Sequence, residues 1–243
     1  LRFAMFVMFF PHLVAGPIMR AREFLPQLHH WRPFRGRLLV EGGPLILSGM
    51  LKKSMADLLA PTVADAMADP ARFSTIGLIV AAIAFTFQLY LDFAGYTDIA
   101  LGSARIMGFR LPKNFDWPYR EPNLADLWKK WHITLGRWLR DYVYFPLGGS
   151  RLGDARAYAN LMFTMILCGL WHGAGWTFIA WGAWNGVLLA INHAWRQWRG
   201  PPQPTRFKTF ASWLATFIAF VIGMVFFRAT DMPSAVLLLK NMA

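Results

Sequence analysis

Apolar and charged residues alternate in long blocks along this chain. A helix that crosses a bilayer needs about 20 mostly apolar residues, and the apolar stretches that approach this length are 1–19, 38–60, 73–102, the pair 157–172 and 176–195, and 209–228. Pro11 and the Gly16-Pro17 pair should kink or end the first stretch. Lys52, Lys53 and Asp57 weaken the second. The pattern predicts an all-α polytopic membrane protein.

The longest uncharged stretch contains a histidine beside a glycine turn. No Asp, Glu, Lys or Arg lies between Ala157 and Trp195, and the turn 173–175 divides the stretch into two helices. The uncharged part of the first helix, 157–172, would reach ~24 Å, which is short of a ~30 Å hydrocarbon core. We therefore expect His172 to end part-way into the bilayer.

Basic residues collect between the apolar stretches, in 20–37, 105–156 and 196–208. Placing these blocks in the cytoplasm gives a consistent alternation of crossings by the positive-inside rule. This arrangement requires 38–60 to cross, and it puts the turn 173–175 on the side away from the cytoplasm. It predicts a multi-pass protein of the bacterial cytoplasmic (inner) membrane.

Residues 123–149 combine an apolar stripe with a charged face. The stripe follows helical spacing and consists of Leu124, Trp128, Trp131, Leu135, Trp138 and Tyr142. Asn123 is a candidate N-cap with Asp126 as the capping-box acid, and Pro146 with the following glycines should end the helix. Such a helix suits the membrane interface or a re-entrant position against protein. We take 105–156 as a polar, re-entrant active-site segment.

Composition supports a lipid environment. The 243 residues are 56% hydrophobic and 16% charged, whereas soluble chains average about 25% charged. A net charge of +12 then indicates positive-inside topology and attraction to anionic lipid rather than nucleic acid. Cys168 is the single cysteine, which excludes an internal disulfide and a cysteine metal cluster. The chain begins at Leu1 and ends in an apolar stretch, so we expect an internal fragment with one membrane domain over 1–243.

His132 and His172 are the first candidates for chemistry, because a histidine inside a membrane domain is a functional hypothesis by default. The alternative for each is a hydrogen-bonded core histidine. Other histidines are weaker candidates: His12 lies near a helix break, His29-His30 in a basic loop, and His193 near a helix end as an interfacial anchor. None forms the i, i+4 pair of a helical metal site, so we expect no metal.

Two acids and the cysteine leave alternatives open. Asp92 and Asp98 could relay protons as in a transporter, or could pair with Arg105 or cap the following segment. Cys168 shares a helix face with His172, which allows a Cys-His nucleophile pair or only a packed thiol.

Four blocks carry a family resemblance: "FFPHLVAGPI" (9–18), "QLYLDFAGYTDIALGSARIMGF" (88–109), 114–149, and "LCGLWHGAGWTFIAWGAWNG" (167–186). They resemble the membrane-bound O-acyltransferase (MBOAT) family, in particular its bacterial branch that modifies alginate and teichoic acid. The resemblance implies a multi-helix bundle around a central tunnel, with His172 as the catalytic residue and His132 at the second active-site position. Family members are roughly twice as long as this chain.

The implied reaction is acyl transfer, expected to be acetyl, from a thioester to a hydroxyl of a cell-surface or exopolysaccharide polymer; D-alanyl transfer is the alternative. His172 would take the hydroxyl proton, and a low-dielectric site would keep its imidazole neutral. His132 would orient it or polarise the acyl carbonyl. We expect acetyl-CoA or an acyl carrier protein as donor, no tightly bound cofactor, and periplasmic or membrane acetylation partner proteins.

Five further residues are candidates for contact with substrate or donor: Lys129, Lys130, Trp131, Arg137 and Trp171. Their basic members could face an anionic donor, although positive-inside topology explains them equally well. Two rival classes remain, a transporter or channel with broken helices and a structural subunit that holds acylation partners. Transfer from a labelled thioester by the purified protein separates all three.

Overall fold

The structure, a computed structural model, describes residues 1–29, 36–199 and 205–243. Every regular element in these ranges is helical, as predicted. The α-helices are α1 (Arg2–Val7), α2 (Ala21–His29), α3 (Gly36–Ala68), α4 (Thr75–Ile106), α5 (Leu124–Lys130), α6 (Ile133–Leu139), α7 (Asp154–His172), α8 (Trp176–Arg199), α9 (Arg206–Arg228) and α10 (Met232–Met242). Short 3₁₀ turns lie at Phe10–His12, Pro70–Arg72 and Pro118–Arg120, and one π turn at Arg140–Tyr144.

Two of the described helices are long and apolar enough to cross a membrane. They are α4 and α9, with mean hydropathies of 1.9 and 2.2 over their most apolar windows. They confirm the apolar helices predicted over 73–102 and 209–228. The predicted helix pair is also present, since α7 ends at His172 and α8 begins at Trp176.

The apolar stretch 1–19 does not form one long helix, and its helix ends before Pro11, in line with the break predicted there. α1 ends at Val7, Phe9 is extended (φ −69°, ψ 96°), and Pro11 lies inside the following 3₁₀ turn. The reason is local, because proline lacks the N–H that would continue the helix and restricts the residue before it. The helix that contains the apolar stretch 38–60 is longer than that stretch, since α3 runs from Gly36 to Ala68 through two prolines. Whether 38–60 crosses the membrane stays a prediction.

The continuous helix predicted after Asn123 is interrupted. α5 ends at Lys130, Trp131 is extended, and His132 has a left-handed φ of 41°. The predicted N-cap is confirmed, because Asn123 Oδ1 accepts the Asp126 N–H at 2.9 Å. The capping-box acid differs from expectation: its carboxylate accepts from the Asn123 side-chain amide rather than from the backbone N–H. The side chains of the predicted apolar stripe are buried or half-buried from Leu124 to Leu135, whereas Trp138 and Tyr142 are exposed.

The described chain forms two compact units. Unit 1 comprises Leu1–Pro61, Phe87–Asp116 and His132–Leu135. One cluster of its core contains Met19, Phe24, Ala104 and Phe109, with Phe24 and Phe109 stacked at 5.1 Å between ring centroids. The single-domain organisation predicted from the sequence stays a prediction.

Within unit 1, α3 and α4 approach so closely that glycine is required at the contacts. A Cβ placed on Gly42 would lie 2.6 Å from the Gly102 carbonyl oxygen, and one on Gly49 would lie 2.5 Å from the Gly95 carbonyl oxygen. Backbone therefore packs directly on backbone, as small residues permit between membrane helices.

The acids of α4 pair with lysines of α3 rather than with Arg105. Asp98 accepts hydrogen bonds from Lys52 and Ser48, and Asp92 lies 2.8 Å from Lys53. Arg105 instead binds Glu41 at 2.8 Å. Both acids therefore form ion pairs, with lysines of α3 in place of the expected Arg105, and a proton-relay role for either acid stays a prediction.

Unit 2 comprises Thr62–Thr86, Trp117–Trp131 and Gly136–Ala243. One cluster of its core joins the start of α4 to α9 and α10, and its buried members are Ala66, Leu78, Ala81, Ala82, Val221, Val225 and Leu238. This cluster is entirely apolar, and the histidine and most of the aromatic residues of the candidate site lie on α7 and α8 instead.

Candidate active site

His172 lies at the end of a tightly packed helical hairpin in unit 2. α7 ends there, and the N–H of Gly173 still donates to the Gly169 carbonyl at 3.3 Å. A Cβ on Gly182 would lie 2.5 Å from the Met165 carbonyl oxygen, so α7 and α8 also contact each other through their backbones. This contact fixes the position of the last turn of α7.

Aromatic rings surround the half-buried His172 imidazole. The ring centroids of Trp171, Phe227 and Trp181 lie 4.8, 5.0 and 5.3 Å from it in edge-on arrangements, and that of Phe178 lies 6.5 Å away. Within the described residues, neither ring nitrogen of His172 has a hydrogen-bond partner. Both nitrogens are therefore open to a ligand, unlike those of a hydrogen-bonded core histidine.

Unpartnered polar atoms lie among the aromatic rings of this region. The indole nitrogens of Trp128 and Trp181 and Asn185 Oδ1 are buried without a hydrogen-bond partner in the part of the chain described. The Trp128 and Trp181 rings meet edge-on at 5.7 Å. Sequence reasoning placed Trp128 only in the apolar stripe and did not single out Trp181 or Asn185; the available signal was an asparagine in the uncharged part of a helix, one turn after Trp181.

His132 lies in unit 1 and is held quite differently. It is 6% exposed, and its Nδ1 lies 3.1 Å from Asn114 Oδ1. The ring of Phe93 meets it edge-on at 4.7 Å, and that of Phe115 lies 6.4 Å away. Asn114 is a second residue that sequence reasoning did not single out, because it precedes His132 by 18 residues.

The predicted lysines already have acidic partners. Lys129 Nζ lies 2.7 Å from Asp126 Oδ1, and Lys130 Nζ lies 2.6 Å from Glu121 Oε1. Burial raises the pKa of Asp126, but hydrogen bonds from Lys129 and Asn123 and the nearby charges outweigh it, so the net pKa lies below its ordinary value. A donor-binding role for the lysines stays a prediction.

The other predicted contact residues have varied surroundings. Trp131 is buried, with its ring stacked on Tyr119 at 5.8 Å and edge-on to Phe220 at 5.6 Å. Trp171 is 61% exposed, and Arg137 is half-buried in the last turn of α6. Their contact with substrate also stays a prediction.

A basic groove of about 460 Å³ in unit 2 was not anticipated. Its lining residues are Arg120, Thr205, Arg206, Thr209, Phe210 and Trp213. The signal in the sequence was the basic block around 196–208, of which 200–204 lie outside the described residues.

The other histidines that the structure describes and the cysteine pack against neighbouring side chains or bind the backbone. The His12 ring packs among Phe6, Phe9 and Phe24, and His193 Nδ1 lies 2.8 Å from the Leu189 carbonyl oxygen. His29 ends α2 rather than lying in a loop, while His30 lies outside the described residues. Cys168 is a buried free thiol. No cluster of metal-ligating side chains occurs in the described ranges.

Comparison with known families gives this arrangement a context. The model of the MBOAT, membrane-bound O-acyltransferase family matches residues 1–232. The chain belongs to this family. It is therefore an all-α membrane protein of the MBOAT family, as its helices and motifs predicted.

Three MBOAT relatives illustrate the similarity. A probable alginate O-acetylase of Azotobacter vinelandii is 44% identical over 239 residues, which cover 96% of this chain and 46% of that protein. A peptidoglycan O-acetyltransferase of Helicobacter pylori is 40% identical over 248 residues, covering 100% and 46%. A teichoic acid D-alanyltransferase of Bacillus subtilis is 31% identical over 208 residues, covering 81% and 52%. The chain spans about half the length of these relatives.

Two features of this MBOAT chain suit proton transfer. The imidazole of His172 offers nitrogens without protein partners in an aromatic surrounding, which is what a general base for a hydroxyl requires. The imidazole of His132 is oriented by the hydrogen bond between its Nδ1 and Asn114 Oδ1.

Proposed function

We propose that this chain is part of a membrane O-acyltransferase that moves an acetyl group from a thioester donor to a hydroxyl of a cell-envelope or exopolysaccharide polymer. Family membership and the names of the relatives support acyl transfer. The O-acetylating relatives are 44% and 40% identical, against 31% for the D-alanyltransferase, which favours acetyl over D-alanyl. The acceptor of the alginate relatives is the first to test.

The single observation that carries the proposal is the open imidazole of His172. We assign His172 as the general base that takes the proton from the acceptor hydroxyl. The hydroxyl oxygen then bonds to the thioester carbonyl carbon, the carbon–sulfur bond breaks, and the proton passes from His172 to the departing thiolate. The aromatic rings around His172 limit water, which would otherwise hydrolyse the thioester.

The proposal includes the setting of the reaction. The expected donor is acetyl-CoA or an acyl carrier protein thioester, and the protein lies in the bacterial inner membrane as a multi-pass protein. Periplasmic or membrane acetylation proteins receive or guide the acyl group. A central tunnel with re-entrant helices, as the family resemblance implies, would bring donor and acceptor to His172 from the two sides of the membrane.

The test uses the full-length protein in membrane vesicles that contain its natural partner proteins, with acetyl-labelled acetyl-CoA and alginate oligomers. We expect His172→Ala to lower transfer by about 10²–10⁴-fold, the usual contribution of a positioned base. His193→Ala is the matched control, because it removes another histidine of the same hairpin and should leave transfer within a few-fold of the wild type. Undiminished transfer by inserted, folded His172→Ala protein would show that the assignment is wrong.

A further inference from the structure

The side chain of Asn114 gathers three donors from residues 132–134. Its Oδ1 lies 3.1 Å from the Thr134 backbone nitrogen, 2.8 Å from Thr134 Oγ1 and 3.1 Å from His132 Nδ1. Its backbone carbonyl accepts the Ile133 N–H at 2.9 Å. Asn114 is fully buried, so this one residue receives the first N–H groups of α6 and the ring of His132.

These partners decide which atom of Asn114 and which proton of His132 are involved. A backbone N–H can only donate, so the atom facing Thr134 N is the carbonyl oxygen and not the amide nitrogen. A carbonyl oxygen carries no proton, so His132 Nδ1 must be the donor. The Thr134 hydroxyl fits the same scheme, because it donates to Asn114 Oδ1 and accepts the Ile18 N–H at 2.9 Å.

We propose that Asn114 is a positioning residue that holds His132 as the Nδ1-protonated tautomer, so that Nε2 carries the lone pair used in acyl transfer. A neutral imidazole has a single N–H, and the bond to Asn114 places it on Nδ1. The use of Nε2 in the reaction rests on the proposed function. The tautomer itself does not.

The surroundings of His132 hold its ring in one orientation as well as one tautomer. Its backbone φ of 41° belongs to a sparsely populated region, which persists only where neighbouring contacts determine it. Those contacts include the hydrogen bond to Asn114 and the edge-on ring of Phe93, 4.7 Å away. The lone pair on Nε2 therefore has a fixed direction.

The tautomer narrows the role of His132. Polarising an acyl carbonyl requires an N–H, which Nε2 of this neutral ring lacks. Accepting a hydrogen bond or proton from a hydroxyl requires the lone pair that Nε2 has. Because Asn114 is neutral, it orients the ring without the negative charge that would favour the imidazolium. His132 thus accepts a hydrogen bond from a substrate group other than the reacting hydroxyl, whose proton goes to His172, and it does not donate one to the thioester carbonyl.

The experiment reads the tautomer directly. Full-length protein labelled with ¹⁵N in its histidine rings is examined by NMR at a pH where His132 is neutral, and the His132 signals are assigned by their loss in His132→Asn. The variants are Asn114→Leu, which removes the acceptor oxygen, and Asn114→Asp, which keeps one. Asn160→Leu is the matched control, since Asn160 is another buried asparagine that binds backbone, at the Leu147 and Gly149 carbonyls.

We expect an unprotonated Nε2 in the wild type, in Asn114→Asp and in Asn160→Leu, and a mixed or reversed tautomer in Asn114→Leu. Asn114→Leu should also lower kcat about 10²-fold with the KM for acetyl-CoA within a few-fold, and Asn114→Asp should recover part of that loss. A protonated Nε2 in the wild type, or an unchanged tautomer in Asn114→Leu, overturns the proposal.

The two proposals can fail separately. If Asn114→Leu reverses the tautomer but keeps full transfer while His172→Ala abolishes it, the positioning role is wrong and the acyltransferase assignment stands. If no variant, including His172→Ala, affects transfer, the assignment of His172 as the base is wrong; if the wild type itself transfers no acetyl group, the proposed function is wrong, and in both cases the NMR signals still report the tautomer. The wild-type spectrum decides the tautomer even if Asn114→Leu fails to fold.

Discussion

The imidazoles of His132 and His172 differ in hydrogen bonding and in burial. His132 has one ring nitrogen bound to Asn114 at 3.1 Å and is almost fully buried. Within the described residues, His172 has aromatic rings at 4.8 to 6.5 Å and no hydrogen-bond partner for its imidazole, so packing sets its orientation. We therefore expect the first to keep a fixed tautomer and the second to exchange its proton freely during turnover.

Asp126 provides a prediction at the scale of one residue. Its side chain takes part in the N-cap of α5 and binds Lys129 at 2.7 Å. Burial opposes its ionisation, but hydrogen bonds from Lys129 and Asn123 lower its pKa below the ordinary value of 3.8. Asp126→Asn should therefore lower the thermal unfolding temperature at neutral pH, with a cost on the order of 0.5–2 kcal/mol for the weakened cap.

The sign of the pH dependence follows from the direction of that shift. A carboxyl group whose pKa is lower in the folded protein stabilises the fold above its unfolded pKa, and this contribution disappears as the pH falls through the folded pKa. Scanning calorimetry of the detergent-solubilised protein should show the difference between wild type and Asp126→Asn shrinking below about pH 4. A difference that grows on acidification would contradict the assignment.

At the scale of elements, the contact between α3 and α4 provides an internally controlled prediction. Gly42 and Gly43 are neighbours in α3, yet a Cβ on Gly42 would lie 2.6 Å from the Gly102 carbonyl oxygen, whereas one on Gly43 meets nothing within 4 Å. Gly42→Ala should destabilise the protein by about 1–3 kcal/mol through overpacking. Gly43→Ala should be neutral or stabilising, by up to about 1 kcal/mol of helix propensity.

Thermal unfolding of both variants in the same detergent checks this prediction. Because the two substitutions add the same methyl group to adjacent positions of one helix, propensity and composition are matched. Equal unfolding temperatures would show that the backbone contact between α3 and α4 contributes nothing to stability. A lower temperature for Gly42→Ala alone would show that the helices need their direct contact.

The elements also show what the sequence could predict. Apolar runs identified α4, α7, α8 and α9, because a membrane-embedded helix is recognisable from its own residues. The break at His132 could not be predicted, because residues 132–134 donate their hydrogen bonds to Asn114, which lies 18 residues earlier than His132. The pairing of Asp98 with Lys52 could not be predicted either. Both residues are evident in the sequence, but the sequence does not show that glycine contacts bring α3 against α4.

At the scale of the whole molecule, charge and hydropathy together predict a topology. The net charge of +12 comes mainly from blocks between apolar helices, and such blocks face the cytoplasm in bacterial membrane proteins. In unit 2 this places the segment before α7 and the start of α9 on the cytoplasmic side. The turn at 173–175 then lies on the opposite side or within the bilayer, beside His172.

Single-cysteine labelling tests this topology. Cys168→Ala removes the one cysteine of this chain, after any other cysteine of the full-length protein is replaced. New cysteines are then placed at the exposed positions Leu152, Ala174 and Phe207.

In right-side-out and inverted vesicles, a membrane-impermeant maleimide should label 152 and 207 from the cytoplasmic face only. Position 174 should react from the outer face, or from neither face if α7 ends inside the bilayer. Labelling of 174 from the cytoplasmic face would contradict the topology and would put the open imidazole of His172 on the same side as the basic segments.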